Sequence, residues 1–104
     1  MSDRLNETDA IAGLKPLQGW QLVRDDKQRS AIEKDYSFNS FDAAFAFMSR
    51  LALVAERANH HPELFNSYRL VMVRWTSHSK GGITTLDLQL AATCDKMACD
   101  SGLK

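Results

Sequence analysis

The chain has no charge imbalance, very little cysteine and no long apolar run, and each shortage removes a class of function. Its Lys and Arg total of 13 is matched by 13 Asp and Glu, giving a formal net charge of zero and an isoelectric point near 6.8. That balance argues against a nucleic acid or an acidic membrane surface as a partner held mainly by charge. No stretch approaches the roughly 20 apolar residues of a membrane span, so no membrane partner is expected. Met1 to Leu5 is polar and lacks the apolar segment of a secretory signal, which makes a cytoplasmic location the expectation. The two cysteines, Cys94 and Cys99, stand five apart in an expected helix and so face different directions. A disulfide between them is not expected, and two free thiols suit a reducing compartment. They have no CxxC companion, and structural zinc needs about four ligands at characteristic spacing, so no metal site is expected. Lys80-Gly81-Gly82 is not a phosphate loop, and GxSxG, HExxH and GxGxxG are all absent. Without repeats, low-complexity tracts or an internal linker, residues 1–104 read as one domain of ordinary globular composition.

What is present is a clear alternation of periods. Thr8 to Leu14 reads as a short helix stopped by Pro16, and Trp20 to Val23 as a strand. After a polar turn at Asp25–Gln28, a second strand sets Ile32, Tyr36 and Phe38 on one face and Glu33, Asp35 and Ser37 on the other. Lys34 interrupts the apolar face, where its long stem can snorkel. Asn39 or Ser40 caps a long helix, with Asp42 in its first turn. Phe41, Phe45, Met48, Ala52 and Ala55 recur at helical spacing, and Ala44, Phe47, Leu51, Val54 and Ala58 widen the stripe. A helix to about Ala58, buried over most of its circumference, is therefore expected. Leu64 to Ser77 is strand-like, with Tyr68 and Arg69 at a dividing turn. After Gly81-Gly82, Thr84-x-x-Asp87 forms a capping box, and Leu86, Leu90, Cys94 and Met97 stripe a last helix. Only the ends, Met1 to Glu7 and Ser101 to Lys104, look loose. The order helix, two strands, long helix, two strands, helix predicts an α+β fold: a four-stranded antiparallel sheet with three helices packed on one face. Trp20, Phe65, Tyr68 and Trp75 are expected in core or sheet packing.

All three histidines, His60, His61 and His78, fall between positions 60 and 78. Histidine exchanges protons near pH 7 because its free pKa is about 6.5. Extended neighbours point to opposite sides, so His60 and His61 are poor partners for one metal ion and better as two walls of a pocket. Pro62 keeps His61 out of the helical region, and the C-terminal dipole of the long helix favours a protonated ring. His78 follows a strand, and Asp87 opens the last helix, where it can orient a histidine or bind a polar ligand edge. Glu56 stands four residues before His60, the spacing at which helical side chains meet, and is expected to hold that ring. The residues alone leave another reading open: capping or solvent exposure for His60 and His61, simple capping for Asp87, and an ordinary surface charge for Glu56.

The pattern Glu56-x-x-x-His60-His61-Pro62, then Tyr68, His78 and Asp87, resembles the pterin-4a-carbinolamine dehydratase family, whose members also serve as dimerisation cofactor of a homeodomain transcription factor. The resemblance runs from Gly19-Trp20 to about Ala92 and includes Phe41-x-x-Ala44-Phe45-x-Phe47-Met48. It implies dehydration of 4a-hydroxytetrahydrobiopterin to quinonoid dihydropterin and water, a carbon–oxygen lyase step in tetrahydrobiopterin recycling. His60, His61 and His78 would be catalytic, and Asn59, Thr76, Ser77 and Ser79 would join them against the substrate. Glu56, Pro62 and Asp87 would support them, with no cofactor or metal. It also implies a homodimer or homotetramer and, as the alternative function, an interaction module or transcriptional coactivator with a transcription factor partner. A role in another pterin system is a third reading. The chain departs from its relatives at Asn59, often Asp, at Ser79, sometimes Glu, and at Leu64, commonly Trp.

Overall fold

A computed structural model describes residues 3–103. Helix α1 (Glu7–Leu14) leads into strands β1 (Gln21–Arg24) and β2 (Ser30–Ser37). Helix α2 (Phe41–Ala58) follows, then β3 (Glu63–Ser67), β4 (Leu70–Trp75), a single 3₁₀ turn at His78–Lys80, and helix α3 (Thr85–Asp100). All neighbouring strands pair antiparallel, in the order β1-β2-β4-β3, and the helices cover one face. The expected α+β architecture is the observed one.

Strand register explains the two faces. Ile32 lies opposite Trp75, Lys34 opposite Val73 and Tyr36 opposite Val71, and the apolar members of this set are buried under α2 and α3. The helix α2 contributes Ala44, Phe47, Leu51 and Ala55, and α3 contributes Leu90, Ala91, Cys94 and Ala98. Each large apolar side chain buried here contributes about 1.5–3 kcal/mol. Lys34 reaches past this layer to the Asp95 carboxylate at 2.9 Å, which resolves the break in the apolar pattern. The same Asp95 oxygen accepts from Trp20 Nε1 at 3.1 Å and from the Tyr36 hydroxyl at 2.6 Å. Burial, with this bond second, raises the Tyr36 hydroxyl far above its ordinary pKa.

Three expectations are corrected. The helix α2 is not buried over most of its circumference: Phe41, Phe45 and Leu53 stand exposed because one flank has no element packed on it. Phe65 and Tyr68 are likewise 55% and 64% exposed, since β3 is an edge strand and Tyr68 sits in the hairpin turn with left-handed backbone (φ 56°). The ends are tied down where they are described. Leu5 N–H donates to Ile83 C=O at 2.9 Å, Asn6 caps α1 through Asp9 N–H, and Leu103 bridges Phe38. The expectation of looseness at Met1, Ser2 and Lys104 lies outside the described residues. Among those residues no helix is long and apolar enough to cross a membrane.

Candidate functional site

The sheet order brings the histidines together. Strands β3 and β4 are antiparallel, so the start of β3 lies beside the end of β4, with Glu63 opposite Arg74. The segment entering β3, Asn59 to Pro62, therefore meets the segment leaving β4, Thr76 to Lys80. A bridge between Ser77 and Gly82 closes the second segment into a loop that delivers Thr84 and α3 to the same end. A cavity of about 250 Å³ lies between the two segments. Asn59, His60, His61, Thr76, Ser77, His78, Ser79 and Lys80 line it, so every residue proposed from the resemblance as substrate-facing falls on one cavity.

The local route into the site is set by Asn59. It ends α2 with left-handed backbone (φ 51°, ψ 43°), a conformation that Asn tolerates better than most residues. Its N–H returns to Glu56 C=O at 3.1 Å, and His60 N–H returns to Ala55 C=O at 3.0 Å. These two bonds close the helix end and swing His60 off the helical path. The expected contact between Glu56 and His60 is consequently not made, because four-residue spacing holds only while the helix continues. Glu56 instead meets His61 Nε2 at 2.9 Å, on the exposed side.

His60 turns inward. Its Nε2 lies 2.6 Å from Asp87 Oδ1, with the Asp87 side chain fully buried and that of His60 14% exposed. The other carboxylate oxygen accepts from Ser77 Oγ–H at 2.7 Å and Thr84 N–H at 2.8 Å. Asp87 thus caps α3 through Thr84 N–H and bonds the His60 ring at once. A carboxylate that only accepts requires Nε2 to carry a proton, which leaves Nδ1 as the second ring nitrogen of His60. The ring also lies parallel to that of Trp75, offset-stacked with 5.7 Å between centroids. His61 and His78 are 58% and 61% exposed in their side chains, and His78 Nε2 stands 3.8 Å from Glu63 Oε2.

Each histidine therefore faces a different carboxylate. Sequence reasoning missed Glu63, whose signal was its place directly after Pro62. It also missed Lys80 as a lining residue, signalled by its proximity to His78, and took Trp75 only as packing. Among the described residues, no group of three or more His, Cys, Asp or Glu side chains is arranged to hold a metal ion.

Comparison with known proteins agrees over nearly the whole chain. The family described as pterin 4 alpha carbinolamine dehydratase matches residues 3–97. A Brucella ovis protein named provisionally as a pterin-4-alpha-carbinolamine dehydratase is 41% identical over 96 residues, covering 92% of this chain and 96% of its own. A Brucella melitensis crystal structure described as a transcriptional coactivator/pterin dehydratase superposes with a TM-score of 0.84 at 41% identity, covering 92% of this chain and 99% of that one. A pterin dehydratase-like protein described as a RuBisCO assembly factor in the alpha-carboxysome shares the fold, with a TM-score of 0.66 at 20% identity over 79% of this chain and 92% of its own.

Proposed function

This chain belongs to the pterin-4-alpha-carbinolamine dehydratase family, and we propose that it removes water from 4a-hydroxytetrahydrobiopterin to give quinonoid dihydropterin. The observation that carries this reading is the cavity in which His60, His61 and His78 meet, with His60 held by the buried Asp87. Hydroxide is a poor leaving group, so an acid must protonate the 4a-oxygen as its carbon–oxygen bond breaks. The N5 lone pair supplies the electrons, and the N5 proton is then lost. The step is an elimination with no net redox change, and each positioned acid or base contributes roughly 10²–10⁴-fold.

In this proposal His60, doubly protonated and with its Nε2–H held by Asp87, donates from Nδ1 to the 4a-hydroxyl; His61 donates from the opposite face of the ring, and His78 takes or exchanges the proton at N5. Asp87 fixes the rotation and tautomer of His60, while Glu56 and Glu63 stand by His61 and His78. Asn59, Thr76, Ser77 and Ser79 complete the wall, and Pro62 keeps His61 extended. The work is that of tetrahydrobiopterin recycling in the cytoplasm.

The test is direct ultraviolet measurement of 4a-hydroxytetrahydrobiopterin decay with and without the protein. An accelerated decay that falls at least a hundredfold in a folded His78→Ala variant is expected. Decay at the uncatalysed rate would remove the reading.

A second reading is favoured by the exposed row Phe41, Phe45 and Leu53 on α2. Exposed apolar side chains on one helix flank suit a helical partner, either a second copy in a homodimer or homotetramer or the dimerisation helices of a transcription factor. The Brucella melitensis protein is described by both roles, coactivator and dehydratase. An intact pocket without dehydratase activity would favour this reading.

A further inference from the structure

A second cavity, of about 330 Å³, lies between the N-terminal arm, the far end of the β1–β2 hairpin and the loop at Gly81. It shares no lining residue with the histidine cavity. Four cationic side chains, Arg4, Arg24, Lys27 and Arg29, line it, against a single carboxylate, Glu7. In a chain of zero net charge this is a strong local excess. Glu7 is taken by Arg24 at 3.1 Å, and Arg29 is held from outside the lining by Asp25 at 2.7 Å. Arg4 and Lys27 make no side-chain ion pair or hydrogen bond among the described residues.

The site is built rather than loosely assembled. Leu5 N–H is bonded to Ile83 C=O, which lays the arm along the loop. Gly82 has no side chain where a Cβ would stand 2.8 Å from Arg4 Cδ and 2.6 Å from Ser30 Oγ, so the Arg4 stem packs directly over it. Ser30 supplies an independent sign. It is buried, its Oγ accepts from Ile83 N–H at 3.0 Å, and its own hydroxyl proton has no acceptor among the described residues. A hydroxyl proton left uncommitted in a wall that also carries the unpaired Arg4 and Lys27 is available to an acceptor that carries negative charge.

We propose that this cleft binds the phosphate group of a small phosphorylated molecule. Arginine forks match phosphate oxygens two at a time. The volume sits at the lower end of the roughly 300–1,000 Å³ of small-ligand sites, which suits a phosphate ester or pyrophosphate and not a nucleic-acid strand. Arg4, Lys27 and the Ser30 hydroxyl are the donors, and Arg24 and Arg29 the supporting field.

The experiment is a titration of the full chain with sodium pyrophosphate at constant ionic strength set by chloride, followed by backbone amide resonances. Saturable shifts are expected at Leu5, Asn6, Ser30 and Gly81. The double variant Arg4→Gln/Lys27→Gln, shown folded by its dispersed spectrum, should bind at least tenfold more weakly. Lys96→Gln, on the exposed flank of α3, should bind as the wild type. Parallel titrations with inorganic phosphate and ribose 5-phosphate distinguish the sources: equal affinities assign the cleft to the phosphate group alone, and tighter binding of the ester assigns it to a phosphorylated metabolite. Shifts that do not saturate, or an affinity unchanged in the double variant, overturn the proposal.

Discussion

His60 and Trp75 lie face to face, with ring centroids 5.7 Å apart and planes 8° from parallel. The indole is itself fixed, fully buried, with Nε1–H donating to Cys94 Sγ at 3.4 Å. Trp75 sets the plane of the imidazole, and Asp87 sets its rotation within that plane. Two constraints from two different elements, β4 and α3, thus hold one side chain delivered by the loop after α2. Preorganisation of this kind places a proton-transfer group before substrate arrives.

Asp87→Asn tests the second constraint. The amide fills the same space, and its oxygen can go on accepting from Ser77 and Thr84. Its NH₂ group then faces His60 Nε2, which must become an acceptor, so the ring is held neutral with its one proton on Nδ1 and loses the doubly protonated form that acts as the acid. The dehydration kcat should fall by roughly 10²–10⁴ while the protein stays folded. Glu56→Gln should change kcat less than about threefold, because the pair it breaks is exposed and such pairs are weak. Steady-state kinetics on both variants, with thermal melts, check this; an Asp87→Asn enzyme with wild-type kcat would show that the tautomer of His60 is irrelevant.

Cys94 gives a pH prediction. Burial pushes its thiol up to about 12 from an ordinary 9.0, with the Trp75 hydrogen bond partly opposing the rise. The folded state therefore holds the proton where the unfolded chain releases it. That contribution to stability is complete below pH 9 and is lost as pH rises toward 12, at roughly 1.4 kcal/mol per unit. Melting temperature measured from pH 8 to 12 should fall less steeply in Cys94→Ala than in the wild type, whatever the offset at neutral pH. Equal slopes would refute the assignment. A thiol reagent at pH 8 should modify the exposed Cys99 alone in the native protein and both cysteines after denaturation.

The elements of the fold were legible because they rest on local chemistry. Ser40 as the cap of α2, the alternation of Val71, Val73 and Trp75, and the box formed by Thr84 and Asp87 are each written within a few residues. The gathering of His60, His61 and His78 was visible as a cluster in the sequence. Their partners were not. The link from His60 to Asp87 crosses 27 positions and depends on the sheet order, and the loss of the contact between Glu56 and His60 depends on one left-handed residue. The exposure of Phe45 and Leu53 was equally hidden, since a helix flank awaiting a partner and one facing the core use the same residues.

That flank supports a third prediction. Phe45 and Phe41 touch each other at 5.9 Å between ring centroids and remain 56% and 46% exposed. If copies of the chain associate through α2, Phe45→Glu should lower the mass measured by light scattering to that of a smaller species. Its stability as a monomer should change by less than about 0.5 kcal/mol, because the side chain contacts little of the core. Unchanged mass would move the interface to a strand edge, where β3 is the exposed candidate.

Asn59 separates structure from chemistry. Its left-handed backbone favours Gly and tolerates Asn, while an Ala there is strained by about 1–2 kcal/mol. Asn59→Ala should therefore lower the melting temperature by several degrees, since about 1 kcal/mol corresponds to roughly 4–8 °C in a small domain. Asn59→Gly should stay within a few tenths of a kcal/mol of the wild type, because Gly adopts the same turn without strain. The two variants then divide the possible roles. If Asn59 serves only to turn the chain toward His60, the Gly variant keeps full dehydratase activity and the Ala variant loses part of it. If its side-chain amide also touches the pterin across the cavity, as its position in the lining suggests, the Gly variant folds normally yet shows a KM raised several-fold. Substrate-saturation curves for the two variants, beside their melting temperatures, decide between a residue that positions the site and one that reads the substrate.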